Sequence, residues 1–204
     1  TSRNYKNIGK NCDLVVIATT TQSHFNLALY FLKRGFNVLV EKPLCLKLSQ
    51  IKTLEKISKK NKCKIFVDYP FIFSGSIRFI KKIIDSKKYG KLLRIESYRE
   101  QAPIRKDVNV IWDLAPHEIS ISSYVLGEYP TKVRATAINA LKIEGIEESY
   151  ANCEYYFEQS NVLMTSLISW LSPVKSRRMV FGGTKQTIVY DHLDYESPLK
   201  IFKI

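Results

Sequence analysis

The sequence has few of the residues that build metal centres, disulfide frameworks or membrane spans. Its 204 residues include four cysteines without a CxxC pair and three widely spaced histidines, so we predict free thiols and no metal site. No apolar run approaches the length of a membrane-spanning helix, and the first residues show no secretory signal pattern. We therefore expect a cytoplasmic protein with a packed core and no membrane partner.

A glycine-rich turn is also missing. A sheet that binds a dinucleotide normally carries GxGxxG after its first strand, where the backbone closely approaches the pyrophosphate. The eight glycines of this chain are scattered, and none of them gives that spacing. The usual sequence signal for a dinucleotide site is therefore absent from these residues.

Acidic residues are scarce relative to basic ones, with 19 Asp and Glu against 32 Lys and Arg, a formal net charge of +13. Such an excess is typical either of a nucleic-acid binder or of lysines spread over solvated helix faces. No aromatic-interleaved basic motif or helix-turn-helix signal accompanies the charge, so we predict no nucleic-acid partner. The excess charge would favour an anionic substrate.

The first third of the chain alternates short apolar runs with amphipathic stretches. Residues 13–18, 38–40 and 64–68 are apolar runs typical of strands covered on both faces. One intervening helix is expected to begin at Thr21 or Ser23 and to end at Gly35. Residues 13–68 thus predict a βαβαβ arrangement, and residues 1–70 are assigned to part of a doubly wound, parallel Rossmann-type sheet.

The pattern changes after Tyr69-Pro70, where alternating strands dominate. Residues 71–204 are assigned to an α+β domain with a mainly antiparallel sheet, which makes the whole chain α/β followed by α+β. The Tyr- and Phe-rich strands between residues 150 and 170 are expected to offer an exposed face to a second copy of the chain. The predicted helices span residues 76–86 and 113–125, and the predicted strands span 92–98, 132–139, 150–157, 162–170, 179–181 and 187–190.

Glu41, Lys42 and Pro43 follow directly on an apolar strand. Pro43 cannot continue the strand, and it keeps Lys42 out of the helical region. Ligands of open α/β sheets bind at the carboxyl ends of the strands, so a lysine fixed there is a candidate for chemistry. A solvent-facing ion pair at the strand end is an equally favoured alternative.

Asp113 and His117 lie four residues apart, near the start of a predicted helix. We expect Asp113 to be the N-cap and Pro116 to fall in the first turn, where its missing N–H costs little. A carboxylate beside an imidazole orients the ring for acid or base catalysis. The alternative is a capping aspartate and a partly buried, hydrogen-bonded histidine.

The order of these motifs resembles that of the Gfo/Idh/MocA oxidoreductases. Residues 19–24 match the family's Thr-Pro-x-x-x-His, except that Thr20 replaces the proline, and residues 41–43 match its Glu-Lys-Pro in full. Asp113 and His117 match its Asp-x-x-x-His. The wider run 105–117 looks like a subgroup tied to surface-polysaccharide or nucleotide-sugar metabolism.

The resemblance implies NAD or NADP as cofactor and hydride transfer to or from a hydroxyl or keto group of a sugar or nucleotide sugar. It implies catalytic roles for Lys42, His117 and Asp113, which we expect to meet in one cleft. Cofactor contacts would come from Thr19, Thr21, His24, Glu41 and Lys42. Candidate substrate contacts, for which surface-loop positions are the alternative, are Tyr69, Arg99, Arg105 and Asn109.

The family pattern is incomplete here, because the chain begins where the family's fourth Rossmann strand is due. We therefore expect a fragment of a longer product, or, if the chain is complete, weak or no NAD(P) binding. A catalytically inert binding or assembly module of the same fold is the alternative function. In either case we expect a homo-oligomer formed through the C-terminal sheet.

Overall fold

The structure is a computed structural model that describes residues 4–9, 12–86, 88–101, 103–140, 142, 144–145 and 147–204. The chain forms two compact units, residues 1–68 and residues 69–204. In the part of the chain that the structure describes, no helix combines the length and apolar character needed to cross a bilayer.

The first unit is a three-stranded parallel sheet with order β1-β2-β3. Each strand is joined to the next by a helix, so the predicted βαβαβ order is confirmed. In chain order the elements are a 3₁₀ helix Tyr5–Asn7, β1 Leu14–Ile17, α1 Thr21–Lys33, β2 Asn37–Glu41, α2 Leu48–Lys60 and β3 Ile65–Asp68.

One face of this sheet forms the core of the first unit. Val38 and Val40 are fully buried and pack with Leu32 of α1 and Leu54 of α2. On the opposite face Val16 of β1 is 61% exposed. The expectation that the strands are covered on both faces is therefore wrong for this chain, because both helices pack on the same side of the sheet.

The start of α1 also differs from the expectation. The N-cap is Thr20, not Thr21 or Ser23, and its side chain makes no capping hydrogen bond. The Ser23 hydroxyl instead donates to the carbonyl of Thr20 at 2.7 Å, inside the first turn. The helix ends as predicted before Gly35, whose φ of +87° is readily adopted only by glycine.

The second unit is a seven-stranded sheet with two helices, in the order β10-β9-β8-β4-β7-β6-β5. Every neighbouring pair is antiparallel except β4–β7, which confirms a mainly antiparallel sheet. The elements are a 3₁₀ helix Pro70–Phe73, α3 Gly75–Ile84, β4 Leu92–Glu100, α4 Val110–Leu126, β5 Lys132–Ile138, β6 Tyr150–Phe157, β7 Val162–Ser169, β8 Ser176–Gly183, β9 Gln186–Asp191 and β10 Leu199–Lys203. The last strand was not predicted.

Strand β4 lies between β8 and β7, and α4 packs against the inner face of the sheet beside it. Ile121 of α4, Ile95 of β4 and Met164 of β7 are fully buried in this core. Tyr155 and Phe157 of β6 also point into it, at 2% and 0% exposure. The expected aromatic outer face on residues 150–170 is therefore wrong for these two rings.

Candidate active site

The first unit presents polar residues where its parallel strands end. Ile17 of β1 pairs with Val40 of β2, and Glu41 pairs with Asp68 of β3, so the three strand ends lie at one edge. Thr19 is exposed there, and Glu41 and Lys42 are half-buried. The predicted position of Lys42 at the carboxyl edge of the sheet is thus confirmed.

His24 holds the two strand ends of this edge together. Its Nδ1 lies 2.9 Å from the carbonyl oxygen of Pro43, and its Nε2 lies 3.1 Å from the carbonyl oxygen of Thr19. The side chain is 1% exposed, and Thr21 beside it is 3% exposed. The ring nitrogens of His24 are thus engaged by the backbone, and the residue positions the turn that carries Lys42.

Helix α4 begins earlier than the sequence predicted. The N-cap is Asn109, whose side-chain oxygen accepts a hydrogen bond from the N–H of Trp112 at 3.0 Å. The Asn109 amide also donates to Glu148 at 2.5 Å, and Val110 N–H donates to the Glu148 carbonyl. Asp113 is therefore not the cap. Pro116 lies inside the helix, not in its first turn.

Asp113 is 5% exposed, and both of its carboxylate oxygens accept hydrogen bonds from residues outside its helix. Oδ1 accepts from Nη1 of Arg105 at 3.2 Å, and Oδ2 accepts from the indole Nε1 of Trp170 at 3.1 Å. Arg105 is itself held by Asp107 through two hydrogen bonds of 2.9 and 2.6 Å. Arg105 therefore ties the carboxylate of Asp113 to the loop that precedes α4.

A buried ion pair lies between β4 and α4. Arg99 donates from Nε to Glu118 Oε1, and the Ser97 hydroxyl donates to Glu118 Oε2. Arg99 is 5% exposed and Glu118 is 1% exposed, so both ions are removed from water as a pair. The surface-loop alternative for Arg99 is therefore wrong.

His117 lies one residue before Glu118 on α4, and its ring contacts Phe71. The two ring centroids are 5.1 Å apart and nearly perpendicular. The ring of His192, the residue after β9, contacts the same phenyl ring at 5.2 Å, also nearly perpendicular. Arg99 places its guanidinium 4.8 Å from the Phe71 centroid, within cation–π range.

Positive charge surrounds His192. Arg99 and Arg177 are register partners on β4 and β8. Partial burial, with the charges of Arg99 and Arg177, lowers the pKa of His192 below its usual value. Burial, followed by the like charge of Arg99, lowers the pKa of Arg177 as well. The cluster therefore favours a neutral imidazole at residue 192 near neutral pH.

Several of these residues were not singled out from the sequence: Phe71, Glu118, Trp170 and His192. The alternation of Ser97 and Arg99 on β4 could have indicated a polar inner face, because residues two apart on a strand share a side. His192 and Trp170 reach the cluster only through the sheet order, and no local pattern signals that.

A cavity of about 540 Å³ borders the middle of α4. Its lining includes Tyr69, a predicted substrate contact, but neither Asp113 nor His117. Burial, with a smaller effect of Tyr129, raises the pKa of Tyr69 above its usual value, so its hydroxyl stays protonated near neutral pH. The lining residues are Tyr69, Ile72, Lys81, Pro116, Ile119, Ser120, Ser123, Tyr124, Gly127, Glu128 and Tyr129.

The described residues contain no group of three or more His, Cys, Asp or Glu arranged to hold a metal ion. The first unit offers Lys42 at a strand edge. The second unit offers the imidazoles of His117 and His192 around Phe71, together with Arg99, which pairs with the buried carboxylate of Glu118. Such groups can accept or donate protons and can hydrogen-bond hydroxyl oxygens.

Two family models match consecutive parts of the chain. The model described as the oxidoreductase family with an NAD-binding Rossmann fold, GFO/IDH/MocA, matches residues 2–69. The model of the GFO/IDH/MocA C-terminal domain matches residues 77–189, more than half of the chain.

Similar proteins include an inositol 2-dehydrogenase from Rhizobium meliloti, 27% identical over 184 residues that cover 87% of this chain and 54% of that protein. A UDP-N-acetylglucosamine 3-dehydrogenase from Acidithiobacillus ferrooxidans is 24% identical over 130 residues, which cover 63% of this chain and 41% of that protein. The chain thus spans about half the length, or less, of the curated relatives it matches.

Solved structures share the fold. An inositol dehydrogenase homologue from Azotobacter vinelandii, complexed with NADH and myo-inositol, superposes with a TM-score of 0.82 at 19% identity, covering 94% of this chain and 56% of that one. The structure of the Acidithiobacillus ferrooxidans enzyme gives a TM-score of 0.80 at 21% identity, covering 94% and 61%. The two family models, one matching more than half of the residues, show that this chain belongs to the Gfo/Idh/MocA oxidoreductase family.

Proposed function

We propose that the protein carrying this sequence is an NAD(P)-dependent oxidoreductase that acts on a hydroxyl or keto group of a sugar or polyol. The observation that carries the proposal is the position of Lys42 at the carboxyl edge of a parallel sheet, in a chain of this family. A nicotinamide cofactor, when bound, supplies the hydride acceptor or donor. The protein must supply the group that moves the hydroxyl proton.

The residues at this edge fit part of such a cofactor. The exposed Thr19 hydroxyl and the Glu41 carboxylate can hydrogen-bond ribose or amide groups, and His24 and Thr21 would hold that edge in shape. The glycine-rich turn that packs against a pyrophosphate is not in the sequence. Titrating the 204-residue chain with NAD⁺ and NADH by fluorescence tests the expected weak binding, which micromolar affinity would contradict.

In the proposed reaction Lys42 accepts or returns the proton of the reacting hydroxyl, and His117 acts as acid or base or binds that hydroxyl. Asp113 positions the start of α4, because Arg105 and Trp170 hold its carboxylate. Arg105 and Asn109 act as positioning residues in the same way, through Asp113 and the α4 cap. Tyr69 and Arg99 remain proposed substrate contacts.

A nucleotide sugar is the more specific substrate we propose. The net charge of +13 favours an anionic ligand, and a nucleotide sugar carries a diphosphate. The named relatives include both inositol and UDP-N-acetylglucosamine dehydrogenases. Polyols are therefore the substrates with which nucleotide sugars are to be compared.

An activity screen tests both the proposed oxidoreductase activity and the proposed nucleotide-sugar substrate. The protein is incubated with NAD⁺ or NADP⁺ and a panel of polyols and UDP-sugars, while NAD(P)H absorbance is followed. Lys42→Ala should lower kcat about 100-fold or more, the range of a lost general acid or base. If Lys42 and His117 serve one step, the double variant with His117→Ala should be no slower than the slower single variant. Unchanged turnover in Lys42→Ala would refute the proposed role.

We further propose a homo-oligomer formed through the outer face of the seven-stranded sheet, and a cytoplasmic location. Leu163 on that face is 46% exposed and Phe202 is 53% exposed, among charged neighbours. All four cysteines are free, as expected in a reducing compartment. Sedimentation of the wild type and of Leu163→Arg tests the oligomer, because a buried arginine at the interface should dissociate it. A monomeric wild type would contradict it.

A further inference from the structure

His192 is the second imidazole that contacts Phe71, and its ring has a fixed neighbour. The Tyr190 hydroxyl lies 3.1 Å from its Nδ1. The backbone of His192 is also held, since its N–H donates to the carbonyl of Arg177 at 3.0 Å. The ring therefore has a defined place at the end of β9, although the residue remains exposed to solvent.

The Tyr190 hydroxyl bears on which ring nitrogen of His192 carries the proton. Burial raises the pKa of Tyr190, so its hydroxyl stays protonated near neutral pH. A protonated phenol beside a neutral imidazole is placed to donate its proton to Nδ1 of His192, 3.1 Å away.

A neutral imidazole that accepts at Nδ1 carries its proton on Nε2. The neutral form is favoured because Arg99, Arg177 and Lys175 all disfavour a further positive charge, against Asp191 alone. Among the described residues, Tyr190 is the group that hydrogen-bonds this ring. The Nε2–H is therefore left to donate to another acceptor.

We propose that His192 is a substrate-binding residue, which donates a hydrogen bond from Nε2 to a hydroxyl or keto oxygen of the sugar or polyol, beside the Phe71 ring that His117 also contacts. This inference rests on the proposed function for the class of ligand. Tyr190 acts through His192 and is a positioning residue.

Three variants separate this role from a structural one. His192→Phe keeps an aromatic ring against Phe71 but removes the donor, and His192→Gln restores an N–H. Tyr190→Phe removes the hydroxyl that fixes the tautomer. Tyr195→Phe, at a residue 87% exposed in the same segment, is the matched control. Circular dichroism confirms that each variant is folded.

The first measurement is ¹⁵N NMR of histidine-labelled chain, which has only three histidines to assign. His192 should show a protonated Nε2 and an unprotonated Nδ1, and Tyr190→Phe should convert this to a mixture of tautomers. The second is affinity for myo-inositol and for UDP-N-acetylglucosamine by calorimetry. His192→Phe should weaken binding of the preferred probe about tenfold, and His192→Gln should recover part of the loss.

The outcomes distinguish the two proposals. Unchanged affinity in His192→Phe, or a proton found on Nδ1, overturns the role of His192 alone. If His192→Phe weakens binding but no nicotinamide-dependent turnover occurs with any panel substrate, only the oxidoreductase proposal fails. A wild-type chain that binds neither probe overturns the role of His192, whereas turnover on the full panel decides the oxidoreductase proposal separately.

Discussion

Arg99 of β4 donates a hydrogen bond to Glu118 of α4, and the two side chains are only 7% and 1% exposed. Ser97, on the same side of β4, satisfies the second carboxylate oxygen. The pair ties the central strand to the helix that carries Asp113 and His117. It also places the guanidinium over Phe71, the ring that both His117 and His192 contact.

Replacing Arg99 by Met should destabilise the protein by about 3–5 kcal/mol, because Glu118 would stay buried without its counter-ion. The double variant with Glu118→Leu should recover much of this loss, since no unpaired charge remains. Urea unfolding at neutral pH measures both. Arg94→Met is the matched control, because the Arg94–Glu96 pair on the same strand is solvated and is worth under about 1 kcal/mol. Equal losses at Arg99 and Arg94 would contradict this account.

His24→Ala should lower the free energy of unfolding by about 2–3 kcal/mol, because it removes a 1% exposed ring that hydrogen-bonds the strand-end backbone and leaves a cavity in its place. The backbone amide signals of Glu41 and Lys42 should shift in ¹H–¹⁵N spectra recorded without cofactor. The control is Asn26→Ala, an exposed residue of the same helix. Amide signals at residues 41–42 that do not move would show that the imidazole does not position this turn.

Val38→Ala should cost about 2 kcal/mol or more, since the side chain is fully buried against α1 and α2. Val16→Ala on the neighbouring strand removes the same atoms from a residue that is 61% exposed, so it should change stability by less than about 0.5 kcal/mol. Thermal unfolding of the two variants compares them directly. Similar losses would mean that the second face of this sheet is covered in solution.

Glu128→Gln should reduce stability in a pH-dependent way. Burial acts to raise the pKa of Glu128, but hydrogen bonds from Ser160 and from the backbone N–H of Gln159 outweigh it, and the net pKa is lowered. A carboxylate with a lowered pKa contributes stability above its unfolded pKa and loses it as pH falls through the folded value.

The difference between wild type and Glu128→Gln should therefore be about 1 kcal/mol at pH 7 and should vanish toward pH 3. Urea unfolding across this range measures it, with Glu158→Gln as the control because Glu158 is exposed in the same turn region. A difference independent of pH would show that the carboxylate charge is not what holds the 159–160 turn.

Much of the fold could be predicted locally. Periodicity and glycine positions gave the strand–helix alternation up to Asp68, and alternating strand patterns gave β6 and β7 as separate strands. The start of α4 was misplaced because Asn109 and Asp113 are both favourable N-cap residues in sequence. Asn109 forms the cap, and its amide is held by Glu148 from 39 residues away. β10 was missed because a lysine-rich edge strand such as 199–203 gains its order from pairing with β9.

The sequence by itself determined the residue types and the order of the motifs: Glu41-Lys42-Pro43 at a strand end, and Asp113 and His117 one helical turn apart. Backbone stereochemistry and short-range periodicity suffice for that. Only the tertiary structure decided that Asp113 is held by Arg105 and Trp170, and that His192 contacts Phe71. Hydrogen bonding across the sheet, not local preference, chooses which strands are neighbours, and it therefore chooses which distant side chains meet.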